Sequence, residues 1–387
     1  MQGAFVGSPW GARFWLLLRA VAVVGLVVGG GWMTWIWVPR EPTLTWPGYG
    51  ANERLAVSPD GAVFATTGGA SEQRYLLVRG RDVLSTTRVH IRRLEDGSMV
   101  HDLPVFAARD LAFSPNGQLL AVGNEEGQVL LWQVRDGQLL RTFQVTFIHA
   151  SALRFSPDGR YLSASGLDPK QPTTFTTTMW AIDTGQVHGT WRSRCLNYSP
   201  DGQTIIIGGY VPELRRVDDG ALVRTITLSS GSRCISWSPQ GTFWSVTAYD
   251  TNAMYQVVDP QNGQVISTLP VSYGPSAVSP DDQWVAAGRS ATINTVPVLT
   301  SPSRPQSTRI WRVRDGELAA MLQGHENSTL GVVWTPDGRR LITVGGDGII
   351  RLWEMPPTDP RWPRLLLLVG LVAGVAALIQ VIWRRRG

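Results

Sequence analysis

Cysteine, histidine and lysine are scarce in this chain of 387 residues, and the few cysteines and histidines argue against a metal site. There are two cysteines, five histidines and a single lysine, Lys170. None of the histidines or cysteines has the His-x-x-x-His or Cys-x-x-Cys spacing of a metal site. No Gly-x-Ser-x-Gly elbow or phosphate-binding glycine loop occurs in a strand-to-helix context. We therefore expect no metal, no cofactor and no enzymatic activity.

The charge of the chain is modest, and its basic residues are almost all arginine. The formal net charge is +5, which includes the ends of the chain, so the sequence predicts no nucleic-acid-binding tract. The preference for arginine over lysine suggests a GC-rich bacterial genome.

A four-residue turn, Ser-Pro-Asp-Gly or a near copy, recurs mostly at intervals of about 40 residues, which is the signature of a repeat protein. Proline presets φ at the second position, and glycine accepts a left-handed φ at the fourth. The seven copies begin at Ser58, Ser114, Ser156, Ser199, Ser238, Ser279 and Thr335.

The residues around each turn have the pattern of short strands. An apolar residue precedes every turn, as Phe155 and Trp334 do, and a second usually lies two residues earlier, which is strand alternation. A strand follows the turn, then a third that often carries Trp, then a turn ending in Gly, then a fourth. Four-stranded units at this period predict the blades of an all-β propeller.

The last unit carries a motif that resembles the signature of the WD-repeat family. His325, Thr343, Asp347 and Trp353 match the His, Ser or Thr, Asp and Trp that hydrogen-bond across one blade in that family. The other units lack the complete set. The resemblance covers roughly residues 43 to 355. It implies a seven-bladed β-propeller and a non-enzymatic platform for protein partners, with His325 as a structural group rather than a catalytic one.

The two ends of this region are expected to join. The last unit lacks a fourth strand, because the chain after Trp353 runs into a proline-rich segment. Residues 43–46 precede the first unit where a fourth strand belongs, so we expect them to complete blade seven. The alternative is that residues 41–50 are only a linker.

The two cysteines are predicted to be free, largely buried thiols. Cys195 and Cys234 each lie four residues before a turn, in adjacent blades. Equivalent positions in packed sheets are about 10 Å apart, whereas a disulfide needs Cα atoms within about 7 Å.

Two long apolar runs, residues 14–38 and 362–383, are predicted to be transmembrane helices. They leave a tail at residues 1–13 and a basic tail at residues 384–387. The first run is alternatively a signal peptide, although it is long and lacks an Ala-x-Ala site.

Each run contains a Gly-x-x-x-Gly motif, which favours close packing of helices. Chance occurrence is an equal explanation, since the motif is common in apolar runs. The glycines are Gly25, Gly29, Gly370 and Gly374.

Arginines flank the outer ends of both runs, as Arg13 and the run at 384–386 do. The positive-inside rule then places both termini in the cytoplasm and the propeller outside it, at the bacterial cytoplasmic (inner) membrane.

Two features are candidates for binding. Long loops between second and third strands, Gly68 to Thr87 in blade one and Gly288 to Thr308 in blade six, lie on the face away from the membrane. We expect them to bind protein partners, including members of a membrane complex. The alternative is that they are disordered insertions.

Arg109, Arg194 and Arg233 lie five residues before their turns, near the mouth of the central channel. They suggest a second hypothesis, a receptor for an anionic ligand, against the simpler reading of solvated or paired arginines.

Overall fold

The computed structural model describes residues 42–47, 54–69, 87–105, 107–209, 211–227, 232–248, 255–271, 275–288, 292–293, 296–297, 306–326 and 328–355. These residues form seven antiparallel four-stranded sheets, one for each predicted unit, and a two-stranded ribbon within the blade-six insertion. The predicted all-β, seven-bladed propeller is therefore confirmed.

In blades one to six the strands follow one another in chain order from the inner first strand to the outer fourth strand, whereas in blade seven the fourth strand is β1. Blade one comprises β2 Leu55–Val57, β3 Val63–Gly69, β4 Thr87–Arg93 and β5 Met99–Pro104. Blade two comprises β6 Ala108–Phe113, β7 Leu119–Asn124, β8 Gln128–Gln133 and β9 Leu139–Gln144. Blade three comprises β10 Ile148–Phe155, β11 Tyr161–Asp168, β12 Gln171–Ala181 and β13 Val187–Trp191. Blade four comprises β14 Leu196–Tyr198, β15 Thr204–Ile207, β16 Glu213–Arg216 and β17 Leu222–Thr225. Blade five comprises β18 Ser232–Trp237, β19 Trp244–Ala248, β20 Tyr255–Val258 and β21 Val265–Leu269. Blade six comprises β22 Ser276–Val278, β23 Trp284–Ala287, β26 Gln306–Arg312 and β27 Leu318–His325, with the ribbon β24 Thr292–Ile293 and β25 Val296–Pro297 between β23 and β26. Blade seven comprises β28 Thr329–Trp334, β29 Arg340–Gly345, β30 Ile349–Glu354 and β1 Leu44–Pro47.

The hydrophobic core consists of one buried cluster at each interface between neighbouring blades. In the cluster between blades two and three, for example, Phe143 packs against Trp180 with ring centroids 5.3 Å apart. A cluster between blades seven and one completes the circle. Because each sheet buries both of its faces in this way, the ring as a whole is stabilised by apolar burial.

Blade seven is closed by the N-terminal strand, as predicted. β1 pairs antiparallel with β30, and Leu44 lies opposite Leu352. Trp46 is buried in the cluster between blades seven and one, 5.3 Å from the ring of Phe64. A Cβ added at Gly97 would lie 2.2 Å from Trp46, so this turn glycine is needed for close packing as well as for its positive φ.

The repeated turns share one hydrogen-bond arrangement, and blade five achieves it differently. In most turns the first hydroxyl donates to the third-position side chain, as Ser58 does to Asp60 at 2.5 Å. Blade five has Gln240 at the third position, and its Ser238 donates instead to Asp282 of the blade-six turn at 2.6 Å. Asp282 stands where the other turns have glycine, and it adopts a φ of 59°. The two departures from the repeat therefore compensate each other.

The cysteine prediction is wrong: Cys195 and Cys234 form a disulfide with their Cα atoms 5.9 Å apart. The expected separation of about 10 Å is the spacing of packed sheets. These cysteines instead lie at the inner edge of the ring, beside and within the first strands β14 and β18, where neighbouring blades converge on the channel. The strand alternation was correct, since Leu196 and Ile235 are both buried. Cys195 is buried, as predicted, and Cys234 is half-buried.

The predicted transmembrane runs, their four glycines and both tails lie outside the described residues. Within the described ranges there is no helix with the length and apolar character to cross a bilayer.

Candidate interaction faces

The alternating strand directions give the propeller two different faces. The connections from first to second strands and from third to fourth strands lie on one side, which we call the turn face. The connections from second to third strands and between blades lie on the other, the loop face. β30 ends on the turn face, where the N–H of Met355 donates to the carbonyl of Arg339 at 2.8 Å. β1 starts beside it, because Leu44 pairs with Leu352. Both ends of the propeller therefore leave from the turn face.

The predicted insertions belong to the loop face, since each follows a second strand. In blade one, Gly69 at the end of β3 pairs with Thr87 at the start of β4, so residues 70–86 leave and return at adjacent points. In blade six, Ala287 pairs with Arg309 in the same way. Both insertions thus start from paired strands, which fixes where they emerge.

Blade three carries a third projection on the loop face, which the sequence analysis missed. β11 and β12 remain paired as far as Asp168 and Gln171, well beyond the point where the hairpin of blade two turns. The signal in the sequence is the longer interval from turn glycine to third-strand Trp: Trp180 follows Gly159 by 21 residues, whereas Trp132 follows Gly117 by 15. We call residues 166–176 the blade-three hairpin.

The structure brings the four WD-type residues together: His325 at the end of β27 in blade six meets Thr343, Asp347 and Trp353 of blade seven. Trp353 Nε1 donates to Thr343 Oγ1 at 2.8 Å, and His325 Nε2 lies 2.7 Å from the same oxygen. His325 Nδ1 lies 3.1 Å from Asp347 Oδ1. Arg351 adds a fifth member that the motif does not include: its Nη1 donates to Asp347 Oδ2 at 2.9 Å. This buried network ties three strands to the loop at Asp347.

The electrostatics of the network favour a neutral histidine beside a charged carboxylate. Burial, and then the positive charge of Arg351, lower the pKa of His325 below its ordinary value. Burial alone raises the pKa of Asp347, but contacts with His325, the N–H of Glu326 and Arg351 outweigh it, so the pKa of Asp347 is lowered. The groups of the network satisfy one another between the end of β27 in blade six and strands β29 and β30 of blade seven, which fits a structural role.

Two of the three predicted channel arginines, Arg109 and Arg194, each have a partner within the protein. Arg109 Nη1 lies 3.4 Å from Glu125, and the guanidinium of Arg194 stacks over the ring of Phe175 at 3.8 Å from its centroid. Arg233 is in β18, but its side chain lies outside the described residues. The neighbouring Asp110 accepts the N–H of Leu153 in blade three at 2.9 Å. These contacts give Arg109 and Arg194 partners within the protein.

The described part of the chain contains no group of three or more His, Cys, Asp or Glu side chains arranged to hold a metal ion.

Two family models match parts of the chain. The WD domain, G-beta repeat model matches residues 316–354, which include the network of blade seven. The model of the anaphase-promoting complex subunit 4 WD40 domain matches residues 83–158.

Several curated proteins are similar to this chain over part of its length. The nuclear distribution protein PAC1 of Arthroderma otae is 35% identical over 79 residues, which is 20% of this chain and 17% of that protein. The periodic tryptophan protein 2 homolog of Dictyostelium discoideum is 26% identical over 272 residues, 67% of this chain and 27% of that protein. An uncharacterized WD repeat-containing protein of Synechocystis is 33% identical over 121 residues, 30% of each chain. The matches thus span less than a third of these relatives. The family matches, together with the seven four-stranded blades, support a WD-repeat β-propeller, a fold that generally serves as a non-enzymatic scaffold for protein partners.

Proposed function

We propose that this protein is a non-enzymatic, membrane-anchored scaffold that binds protein partners through its loop face. The observation that carries the proposal is that both ends of the propeller leave from the turn face, next to the paired Leu44 and Leu352. Apolar runs long enough to span a bilayer follow in both directions along the sequence. Anchoring at these points directs the loop face, with the insertions of blades one and six, away from the membrane.

The side of the membrane is part of the proposal. Disulfides persist mainly in oxidising compartments such as the bacterial periplasm. The bond between Cys195 and Cys234 therefore favours an extracytoplasmic propeller. The arginines at the outer ends of the two runs favour the same orientation by an independent argument. Together they support a bacterial inner-membrane protein with cytoplasmic termini.

Partner binding is tested by shortening the insertions without disturbing the blades. A two-residue Asn-Gly turn replaces residues 70–86, because Gly69 and Thr87 are already paired at hairpin distance. The same turn joins Gly288 to Thr308 in blade six, next to the paired Ala287 and Arg309. The full-length chain and each variant are purified from membranes in mild detergent, and co-purifying proteins are quantified by mass spectrometry.

We expect a defined set of partners with the full-length chain and loss of at least one partner in a shortened variant. The matched control is Arg160→Ala, which changes an exposed turn-face side chain that pairs with Asp158 and Asp218; it is expected to keep every partner. A chain that purifies alone would contradict the scaffold proposal. Partners that are lost in the Arg160→Ala variant and retained in both loop variants would contradict the choice of face.

A further inference from the structure

The blade-three hairpin leaves part of one strand edge open. β13 covers β12 only from Thr177 onward, where Thr177 pairs with Trp191. In the stretch from Gln171 to Thr176, β11 pairs on the inner side with Gln171, Phe175 and Thr176, with a register shift between them, and no strand lies on the outer side among the described residues. The other edge of the hairpin is closed, since β10 pairs Ile148 with Leu167.

This open edge distinguishes blade three from its neighbours. In blade two, β9 covers β8 from its first residue, with Gln128 opposite Gln144. Blade four is covered in the same way, with Glu213 opposite Thr225. An extended strand with an uncovered edge presents backbone N–H and C=O groups in the geometry that pairs with another strand.

The residues of the edge suit strand pairing. No residue from Gln171 to Ala181 is charged, and threonine, which favours strands, dominates this stretch. Natural edges are commonly protected by charged side chains or by proline within the strand; the one such residue in this stretch is Pro172, next to the tip. Here the charged residues stand at the two ends: Lys170 is exposed at the tip, and Arg192 is exposed next to Trp191 at the base. At strand spacing these two positions are roughly 20 Å apart.

The positive charges of Lys170 and Arg192 indicate which kind of segment would pair with this edge. In an antiparallel pair formed with a second copy of the same edge, Lys170 of each chain would approach Arg192 of the other, and like charges would meet at both ends. An extended segment with acidic residues at both ends places opposite charges at both positions instead. We infer that an extended segment of a partner protein, uncharged in its middle and acidic at both ends, adds as a further strand to the outer edge of β12.

The inference rests on the proposed scaffold role and gives it a binding mode. It is tested with the full-length protein in detergent micelles and a fluorescent eight-residue peptide of alternating Thr and Val with Asp at both ends. The control peptide has Lys at both ends. We expect the acidic peptide to bind at least tenfold more tightly than the basic one, and to protect amides between 171 and 176 from hydrogen exchange.

A charge-swapped variant, Lys170→Glu with Arg192→Glu, provides the matched control. Both side chains are exposed, so the fold is expected to be retained, and the preference between the two peptides is expected to reverse. The inference is overturned by equal binding of both peptides, by a preference that survives the swap, or by protection that avoids 171–176. A concentration-dependent dimer that protects the same amides without peptide would also overturn it, in favour of a second copy.

The two proposals fail separately. Partners that depend on the insertions of blades one and six, together with no peptide binding, leave the scaffold role standing and remove the strand-addition site. Peptide binding at β12, together with a chain that purifies without any partner, contradicts the scaffold role and leaves the strand-addition site standing.

Discussion

Replacing Asp282 is expected to destabilise blade five, although Asp282 belongs to blade six. Its carboxylate accepts hydrogen bonds from the hydroxyls of Ser238 and Thr242, both at 2.6 Å. Hydrogen bonds to charged groups contribute about 1.5–3 kcal/mol each. Removing two of them gives a gross loss of about 3–6 kcal/mol. Ser238 can turn to a backbone carbonyl, as Ser58 does to Val63 at 3.0 Å, which recovers part of this loss.

The substitution Asp282→Gly also relieves a non-glycine residue from a φ of 59°, which is worth about 1–2 kcal/mol. We therefore expect a net loss of about 1–4 kcal/mol for Asp282→Gly, after subtracting the relieved strain and the recovered hydrogen bond. The change Gln240→Asp supplies the carboxylate within blade five, as in the other turns. In the Asp282→Gly background it should restore most of the stability, whereas alone it places two carboxylates together and should destabilise.

The assay is thermal unfolding of the four proteins of this double-mutant cycle in detergent, followed by tryptophan fluorescence. The decisive result is the change of sign: Gln240→Asp lowers the melting temperature in the wild-type background and raises it in the Asp282→Gly background. An effect of Gln240→Asp that is the same in both backgrounds would refute the reasoning. So would an Asp282→Gly variant with the stability of the wild type.

Three further predictions concern the closure, the disulfide and pH. Trp46→Ala should cost about 3–5 kcal/mol and increase hydrogen exchange in β30; unchanged exchange there would argue against the closure. Replacing Cys195 and Cys234 with serine should cost about 2–4 kcal/mol for a closed loop of this length, measured by urea unfolding, and reductant should have no effect on the variant. Because the pKa of His325 is lowered in the folded state from its ordinary value of 6.5, the unfolded chain takes up the proton first. Stability is therefore full above about pH 6.5 and falls as the pH drops below it; His325→Gln should flatten this fall, and an unchanged pH profile would contradict the assignment.

The sequence was sufficient for those features that repeat locally. The turns, the strand alternation and the missing fourth strand of blade seven predicted the number of blades and the pairing of β1 with β30, both of which are confirmed. The number of blades depends on residues within single units, where strand periodicity and turn chemistry determine the structure. The pairing of β1 with β30 followed from a last unit that is one strand short and a strand-like segment before the first unit.

Features that depend on the relation between blades could not be obtained in this way. The distance between Cys195 and Cys234 is set by the convergence of inner strands at the channel, which a sheet-packing distance does not describe. Asp282 supplies to the blade-five turn the carboxylate that Gln240 lacks, but in the sequence these residues are only two separate departures from the repeat. The blade-three hairpin was missed although Pro169 and Pro172 stand at its tip, because the threonine-rich residues that follow continue the strand pattern.

The central claim, that the propeller is anchored with its loop face directed away from the membrane and outside the cytoplasm, is tested most directly by proteolysis at Lys170. It is the only lysine of the chain and is exposed at the tip of the blade-three hairpin, so a lysine-specific protease has a single site. Intact spheroplasts are treated with this protease, with Lys170→Arg as the uncut control. The account predicts cleavage into two fragments without lysis. Cleavage that occurs only after the spheroplasts are broken would contradict it.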